Sequence, residues 1–435
     1  MDLKNYELKV LLVNTYDRGG AANSCKRLHR GLLEKNIDCN LLLRFKVDQE
    51  QKSFQFINKQ LPYNPSLIVR AIRKLKRIYY KISGIYKINY IRNKQEKFLR
   101  ERPADLEMFS LPHTGTDLTA SELYEEAEIV NLHWVAGFLD LQSFFKKNKK
   151  PVVWTLHDMN PFTGGEHYKE KFLGIDDFGY PLKRTLPKEE ELVSKQNIKK
   201  KKKALLRVDN LTIVAPSKWL AEEAQKSEVF KGKKIFHIPY GLDSEIFYPK
   251  DKTKSRELFN IPNEKKVILF VADSLNKNRK GFMFLIKAFE LLEGKNFLLC
   301  AVGSVNSNLN IGKNILKLGT LEGESLMCAA YSAADVFVIP SLMDNMPNTV
   351  LESIMCGTPV IGFPVGGIPE MITNGKNGYI TEEISVPSLH KTLVKFFNSI
   401  QIFNRENIRE DAKKKYDLNI QANRYITLFK SIIGK

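Results

Sequence analysis

The stretch DVFVIPSLMDNMPNTVLESIMCGTPVIG, residues 335–362, decides how the rest of the chain is interpreted. Its two apolar runs, DVFVI and TPVIG, predict buried parallel strands, and the segment between them predicts a helix. Pro347 suits the first turn of that helix and Gly357 its C-terminal end, so Asp344 precedes the helix and Glu352 lies within it. For each acid alone, a simple helix cap at Asp344 and a solvated face at Glu352 are the alternatives.

The same alternation of apolar strand and helix extends outward in both directions from this stretch. Solid apolar runs occur at 8–14, 37–45, 128–132, 152–156, 211–215, 235–239, 267–272 and 297–302. Apolar blocks separated by helices are typical of parallel sheets covered on both faces. The sequence therefore predicts an α/β fold with two sheets in tandem, a boundary near residues 240–250, and a final amphipathic helix with no strand after it.

Three loops that follow predicted strands are candidate ligand sites, because ligands of open α/β sheets bind at the carboxyl ends of the strands. Gly19 and Gly20 open a helix, where backbone N–H groups and the helix dipole attract an anion; a structural tight turn is the alternative. His157 leaves a strand in TLHDMNPFTGG (155–165), and a buried structural histidine is the alternative there. Lys280, beside Gly281, offers a compact positive charge for a diphosphate, unless it is a solvated loop lysine.

From Lys280-Gly281 through SAADVFVIPSLMDNMPNTVLESIMCGTPVIGFPVGGIPEMI (332–372), the chain resembles retaining nucleotide-sugar glycosyltransferases of the GT-B fold, in particular glycosyltransferase family 4. The Gly19-Gly20 loop, the His157 loop, APSKWLAE (215–222) and IPYGLD (238–243) extend the resemblance over nearly the whole chain. It implies two Rossmann-like β/α/β domains facing a central cleft. They would be an acceptor domain at 1–240 and a donor domain at 241–410, with a helix at 411–435 that crosses back to the first.

The resemblance also implies roles for single residues. Glu352 would hold the ribose hydroxyls, Asp344 the transferred sugar near its reacting carbon, and Lys280 the leaving diphosphate. Aspartate stands at 344 where glutamate is commoner, which leaves the donor sugar open. The expected catalytic residues are Asp344, His157 and Lys280, and the expected donor-binding residues are Glu352, Gly19, Gly20, Arg279, Asn345, Asn348 and Thr349.

The resemblance further implies a reaction that needs no metal and no cofactor. The sequence contains no Asp-x-Asp motif, which agrees with a metal-independent, retaining hexosyltransferase that uses a UDP- or GDP-linked sugar. Arg279 would replace an arginine that the family often has earlier in this domain. The expected acceptor is a glycan or a polyprenyl-linked sugar. The expected setting is bacterial capsule, O-antigen or exopolysaccharide synthesis.

Composition bounds the class of protein. With 43% hydrophobic and 27% charged residues among 435, the chain is globular rather than disordered. Its five cysteines form no C-x-x-C pair, which favours a reduced intracellular protein without a disulfide framework or cysteine metal site. The N-terminus lacks the pattern of a signal peptide, and the longest uncharged stretch, 353–369, is rich in proline and glycine. We therefore expect a cytoplasmic protein.

The net charge of +19 is concentrated locally. Residues 65–100 hold eleven Lys and Arg against one acid, Glu96, and residues 67–91 place their apolar side chains on one helical face. Basic residues of this segment that fall largely off that face are Arg70, Arg73, Lys74, Arg77 and Lys81. The pattern predicts a helix that docks on the anionic inner face of the plasma membrane, close to a lipid-linked acceptor. A packed helix with a solvated basic face is the alternative, and such a face is the prediction for Lys199–Lys203.

Two other functions remain to be separated from glycosyl transfer. The positive charge would suit a nucleic-acid-binding protein, but no zinc-finger spacing, RNP-type strand or homeodomain-like helix occurs in the sequence. A GT-B nucleotide-sugar isomerase or epimerase, or an inactive nucleotide-sugar binding protein, would share the loop that carries Glu352. The former would convert the donor without an acceptor, and the latter would never turn it over.

Overall fold

The N-terminal half is built around a parallel sheet covered on both faces. The computed structural model describes residues 8–57, 97–103, 106–169, 171–294, 296–305, 312 and 314–435. The strands of this half are β1 (Lys9–Tyr16), β2 (Asp38–Phe45), β3 (Ser53–Gln55), β4 (Ile129–Leu132), β5 (Val152–Thr155), β6 (Phe172–Ile175), β7 (Pro181–Lys183), β8 (Leu211–Ala215) and β9 (Lys234–His237). Among the described residues, seven of them pair in the order β3-β2-β1-β4-β5-β8-β9, all in parallel, while β6 and β7 form an antiparallel hairpin.

The central strand β1 shows why the sequence folds this way. Successive side chains of a strand point to opposite faces, and both faces of β1 are apolar. Val10 and Leu12 enter one buried cluster, whereas Leu11 and Val13 enter the cluster on the other face. The covering helices of this half are α1 (Gly20–Glu34), α2 (Glu122–Glu126), α3 (Leu141–Lys147), α4 (Lys188–Leu205) and α5 (Lys218–Lys226).

The C-terminal half repeats this architecture. Its strands are β10 (Lys266–Ser274), β11 (Phe297–Ser304), β12 (Ile315–Gly319), β13 (Val336–Ile339), β14 (Val360–Gly362) and β15 (Gly378–Ile380). Within the part of the chain that the structure describes, they form a six-stranded parallel sheet in the order β12-β11-β10-β13-β14-β15. Its helices are α6 (Lys252–Leu258), α7 (Phe282–Glu290), α8 (Glu324–Ala333), α9 (Asn348–Met355), α10 (Ile368–Met371), α11 (Val386–Asn398) and α12 (Arg405–Tyr416). The predicted fold class, two β/α/β sheets in tandem, is confirmed.

The chain passes between the two halves at two neighbouring places. Leu242 on the way out and the segment at Asp417 on the way back pair as a short parallel bridge, with Leu242 N–H donating to the Tyr416 carbonyl at 2.8 Å. The last helix, α13 (Leu418–Ile433), then packs on α1, and its Tyr425 hydroxyl lies 2.9 Å from Thr155 Oγ1. The final helix therefore belongs to the core of the N-terminal half, while the residue boundaries of the two domains stay a prediction.

Some elements differ from the sequence-based expectation. The strands β3, β12 and β15 and the β6–β7 hairpin are absent from it, because most are three to five residues long and lack a solid apolar run. Gly378, expected in a turn, begins β15.

The lysine run at 199–203 lies on α4, as expected, and Lys199 and Lys203 are exposed. Lys201 corrects the prediction of a fully solvated face, because it is buried and donates to the carbonyl of Asn160. Burial lowers the pKa of Lys201 to about 8. A lysine in the middle of a charged run is therefore part of the support beneath the His157 loop.

Candidate active site

A cleft of about 800 Å³ separates the two halves at the carboxyl ends of their strands. Every residue predicted to act in catalysis or donor binding lines this cleft: Gly19, Gly20, His157, Arg279, Lys280, Asp344, Asn345, Asn348, Thr349 and Glu352. Together they span more than 300 positions of the sequence, so their convergence is a property of the fold. Their individual roles stay predictions.

The loop between β13 and α9 presents Asp344. A second loop supports it from behind: Gly366 has φ +56°, and a Cβ atom placed there would lie 1.7 Å from the Asp344 carbonyl oxygen. Only glycine allows this approach, because the contact is with backbone and the conformation is left-handed. The Gly366-Gly367 turn noted in the sequence therefore fixes the backbone on which Asp344 stands.

Asp344 is 6% exposed and pairs with the lysine expected beside a diphosphate. Its Oδ2 lies 2.7 Å from Lys280 Nζ and 3.4 Å from Arg279 Nη1. Burial alone would raise the pKa of Asp344, but the two cations outweigh burial and lower it. The alternatives for both residues are wrong: α9 is preceded by Pro347 with no side-chain cap, and Lys280 is not a solvated loop lysine.

Arg279 is more tightly held than Lys280. Its Nε lies 2.8 Å from Glu107 Oε1 of the N-terminal half, and its guanidinium stacks 4.6 Å from the centroid of the Tyr168 ring. Its Nη1 also donates to the Met343 carbonyl at 2.8 Å. Burial opposes the charged form, but Asp344 and Glu107 outweigh burial and raise the pKa of Arg279. The guanidinium is thus a permanent charge that ties the wall of the cleft to the opposite half.

Glu352 lies on α9, buried rather than solvated, at 7% exposure. One carboxylate oxygen, Oε1, accepts from Arg27 Nη2 of helix α1 at 2.8 Å. The other, Oε2, accepts from the Tyr331 hydroxyl at 3.0 Å. The solvated-face alternative for this acid is therefore wrong, and its carboxylate faces the N-terminal half across the cleft.

The glycine loop meets the start of α9 directly. Gly19 precedes α1 and Gly20 is its first residue, so the free N–H groups of a 15-residue helix open toward the cleft. Asn348, the first residue of α9, donates through Nδ2 to the Gly20 carbonyl at 2.9 Å. Two helix N-termini from different halves thus meet at one point, an arrangement that favours an anion between them.

His157 is held by hydrogen bonds at both ring nitrogens. The Asn131 amide nitrogen donates to the Val153 carbonyl, which leaves Asn131 Oδ1 to accept from His133 Nε2 at 3.2 Å. His133 Nδ1 must then accept from His157 Nε2 at 2.9 Å, and His157 Nδ1 accepts from the Tyr240 hydroxyl at 2.7 Å. Burial lowers the pKa of His157 to about 4 and that of His133 well below its usual value. His157 is therefore neutral in a single tautomer.

Asp158, next to His157, serves a different partner. Its Oδ2 accepts from Trp134 Nε1 at 2.7 Å and lies 2.6 Å from His167 Nδ1. Burial would raise the pKa of Asp158, but His167 and these hydrogen bonds lower it. The carboxylate therefore positions Trp134, an aromatic residue that also lines the cleft.

Sequence reasoning missed several residues of this site. They are Arg27, Glu107, His133, Tyr168, Tyr240 and Glu324, all either in the cleft lining or bonded to it. Tyr240 lies in the IPYGLD segment and His133 directly follows β4, so position after a strand was an available signal for both. No local pattern marks Arg27, because its partners lie almost 300 residues away or more.

Some predictions lie beyond what the structure tests. Arg70, Arg73, Lys74, Arg77 and Lys81 lie outside the described residues. In the ranges that are described, no group of three or more His, Cys, Asp or Glu side chains is arranged to hold a metal ion. Likewise, none of the described helices has the length and apolar character to cross a membrane. All five cysteines are buried and unpaired.

Comparison with known proteins supports the resemblance. Residues 265–399 match the family model described as Glycosyl transferases group 1. The capsular polysaccharide biosynthesis glycosyltransferase CapM of Staphylococcus aureus is 24% identical over 218 residues, which are 47% of this chain and 56% of CapM. The chain spans between about a third and just over half the length of the first curated relatives it matches.

Solved structures match over nearly the whole chain. Sucrose-phosphate synthase from Thermosynechococcus elongatus superposes with a TM-score of 0.68 at 15% identity, covering 98% of this chain and 99% of that one. HepE from Anabaena in complex with UDP and glucose gives 0.64 at 14% identity, covering 98% and 100%. At such identities the match shows the fold alone, and the GT-B prediction is confirmed.

Proposed function

We propose that this protein is a retaining glycosyltransferase that moves a sugar from a UDP- or GDP-linked donor to a glycan or lipid-linked acceptor. The observation that carries the proposal is the cleft itself. Glu352, Asp344 and Lys280 line the wall formed by the C-terminal half, and the N-terminus of α1 opens from the other half. A carboxylate for hydroxyls, a cation for phosphate and two helix N-termini suit a nucleotide sugar.

The donor is oriented in this proposal by three contacts. Glu352 accepts hydrogen bonds from the ribose hydroxyls, Lys280 and the start of α1 bind the diphosphate, and Asp344 holds the sugar to be transferred. Lys280 already lies 2.7 Å from Asp344, so one cation stands between the carboxylate and the expected phosphate position. The transferred sugar is thereby placed beside its leaving group.

Charge development explains the chemistry. Cleavage of the anomeric bond makes the sugar electron-poor and the diphosphate more negative, and fixed cations and N–H groups stabilise the latter in a site shielded from water. Each such donor is worth about 3 kcal/mol of barrier. Because His157 is neutral, it places no positive charge beside the sugar as the sugar becomes cationic. The absence of this repulsion favours an oxocarbenium-like transition state, in a retaining reaction that we propose to need no metal.

The biological setting follows from the resemblance and the relatives. CapM is named for capsular polysaccharide biosynthesis, and HepE was crystallised with UDP and glucose. These names support a nucleotide-sugar donor and a role in bacterial surface-polysaccharide synthesis for this chain as well. The proposal places the protein in the cytoplasm, at the inner surface of the membrane where lipid-linked acceptors are found.

A thermal-shift panel of UDP, GDP and their sugar conjugates tests the proposal. A ligand that binds only the folded state raises the melting temperature by mass action. Glu352→Ala should abolish the increase given by the preferred nucleotide, because the ribose loses its acceptor. The control is Glu257→Ala, which removes an exposed acid from α6 and should keep the full increase. A full increase with Glu352→Ala would refute the ribose assignment.

A further inference from the structure

Arg27 brings a buried positive charge from the N-terminal half to the carboxylate expected to bind ribose. It lies on α1, its side chain is 6% exposed, and its Nη2 is 2.8 Å from Glu352 Oε1. Its guanidinium also lies 5.1 Å from the centroid of the Phe247 ring. Glu352 and Phe247 both line the cleft and both belong to the other side of it, so this contact spans the two halves.

Both carboxylate oxygens of Glu352 already have a hydrogen-bond partner. Oε1 accepts from Arg27 and Oε2 accepts from Tyr331, and the whole residue is 7% exposed. Tyr331 belongs to the core beneath α9, so a ligand in the cleft can coexist with its hydrogen bond. Arg27 approaches from the cleft side. Each oxygen could accept a further hydrogen bond, but Arg27 covers the side from which ribose hydroxyls would approach, so the two compete for that side of the carboxylate.

Arg27 already holds a second acid. Its Nε and Nη2 lie 3.4 and 3.3 Å from Glu324 Oε1, and the Glu324 side chain is 32% exposed, so this pair sits nearer to solvent than the pair with Glu352. Meanwhile Arg27 Nη1 is buried and has no hydrogen-bond partner within the described chain. A buried guanidinium with an unsatisfied donor is a poor resting arrangement, which lowers the cost of releasing one of the two acids.

We propose that Arg27 is a displaceable latch, which pairs with both Glu352 and Glu324 before a nucleotide binds, and which then releases Glu352 while it keeps Glu324. The inference rests on the proposed function, since it requires Glu352 to be the ribose ligand. The latch lowers nucleotide affinity, because only molecules with Glu352 released are competent to bind. It also couples the occupancy of the donor site to the contact between the two halves.

Calorimetric titration of UDP and GDP into Arg27→Met tests the latch. Methionine keeps much of the side-chain volume and removes the charge, so the preferred nucleotide should bind roughly three- to tenfold more tightly than to the unmodified protein. Arg18→Met is the matched control: it removes the same charge just before α1, where Arg18 lies outside the cleft lining and pairs with Asp48, and should not tighten binding. Small-angle scattering without nucleotide should show a more open Arg27→Met.

Weaker or unchanged nucleotide binding by Arg27→Met would overturn the latch, because Arg27 would then support the site or be irrelevant to it. If this variant does not fold, Arg27→Lys replaces it; lysine keeps the charge but loses the planar fork, so a smaller gain in affinity is expected and no gain refutes the proposal. Loss of binding in Glu352→Ala without a gain in Arg27→Met would leave the proposed function intact and refute the latch alone.

Discussion

At the scale of single residues, two lysines show that residue type alone does not determine role. Lys280 extends into the cleft and pairs with Asp344, whereas Lys201 is buried beneath the His157 loop and donates to a backbone carbonyl. The first lines the cleft, where we propose that it binds a diphosphate, and the second holds the loop that carries His157. The difference arises from neighbours contributed by other elements.

Lys280→Met should weaken the diphosphate contact specifically. We expect the affinity for UDP or GDP, whichever is preferred, to fall by roughly ten- to a hundredfold, the value of a hydrogen bond to a charged group. Binding of the corresponding nucleoside, uridine or guanosine, should not change, because it has no phosphate. Calorimetric titration of both ligands separates the two effects.

A suitable control for the charge change is Lys287→Met, on α7 but outside the cleft lining, which should bind both ligands normally. An equal loss of nucleoside and nucleotide affinity in Lys280→Met would mean that the substitution distorts the site. Unchanged nucleotide affinity would remove Lys280 from the phosphate-binding role.

At the scale of elements, the predicted ends of helices are correct where proline or glycine limits the backbone conformation. Pro347 and Gly357 bracket α9 as expected, and Gly281, at φ +70°, starts α7 where an added Cβ would lie 1.8 Å from the Pro340 carbonyl oxygen. Strand β15 was not found because its three residues, GYI, form no solid apolar run, whereas the equally short β14 lies within the run TPVIG. Their register comes from pairing with a neighbouring strand.

The basic segment at 67–91 is expected to bind anionic membranes. Replacing Arg70, Arg73, Lys74, Arg77 and Lys81 by glutamine should reduce binding to vesicles that contain anionic lipid, by about 1 kcal/mol for each charge near the surface. Co-sedimentation at low salt measures this. The matched control replaces five exposed lysines of α4 by glutamine and should bind as the unmodified protein does: Lys195, Lys199, Lys200, Lys202 and Lys203. Equal binding of the unmodified protein to neutral and anionic vesicles would contradict docking on an anionic membrane.

At the scale of the whole molecule, the two halves meet through polar contacts that no local sequence pattern predicts. Ser217 donates to Asn345 at 2.6 Å, and Glu370 accepts from the backbone N–H groups of Lys218 and Trp219 at the start of α5. Together with the Arg27–Glu352 pair, these contacts hold the two walls of the cleft against each other. Each joins residues at least 128 positions apart.

Neutral buried histidines predict a pH dependence of stability. The pKa of His157 is about 4 in the folded protein against 6.5 ordinarily, and burial also lowers those of His29 and His133. Between about pH 4 and 6.5 the unfolded chain binds more protons, so stability is complete above pH 6.5 and falls as the pH drops toward 4. For His157 alone the full loss is about 3 kcal/mol.

Urea unfolding at pH 7 and pH 5 measures this dependence, and the midpoint should be lower at pH 5. His157→Gln should show a smaller difference between the two pH values, because one of the shifted groups is gone. A midpoint that is equal at both pH values, or higher at pH 5, would contradict the neutral buried state of these histidines.

Sequence alone determined the repeated β/α/β order, the strands with solid apolar runs, α9 with its bracketing proline and glycine, and the loops that line the cleft. It could do so because these features depend on residues close together in the chain, through burial periodicity and backbone sterics. Only the tertiary structure decided that Arg27 meets Glu352, that Glu107 holds Arg279, and that Tyr240 and His133 fix the tautomer of His157. Those contacts depend on how two sheets face each other. The residues around a charged side chain in the sequence do not predict which partner it will contact across a cleft.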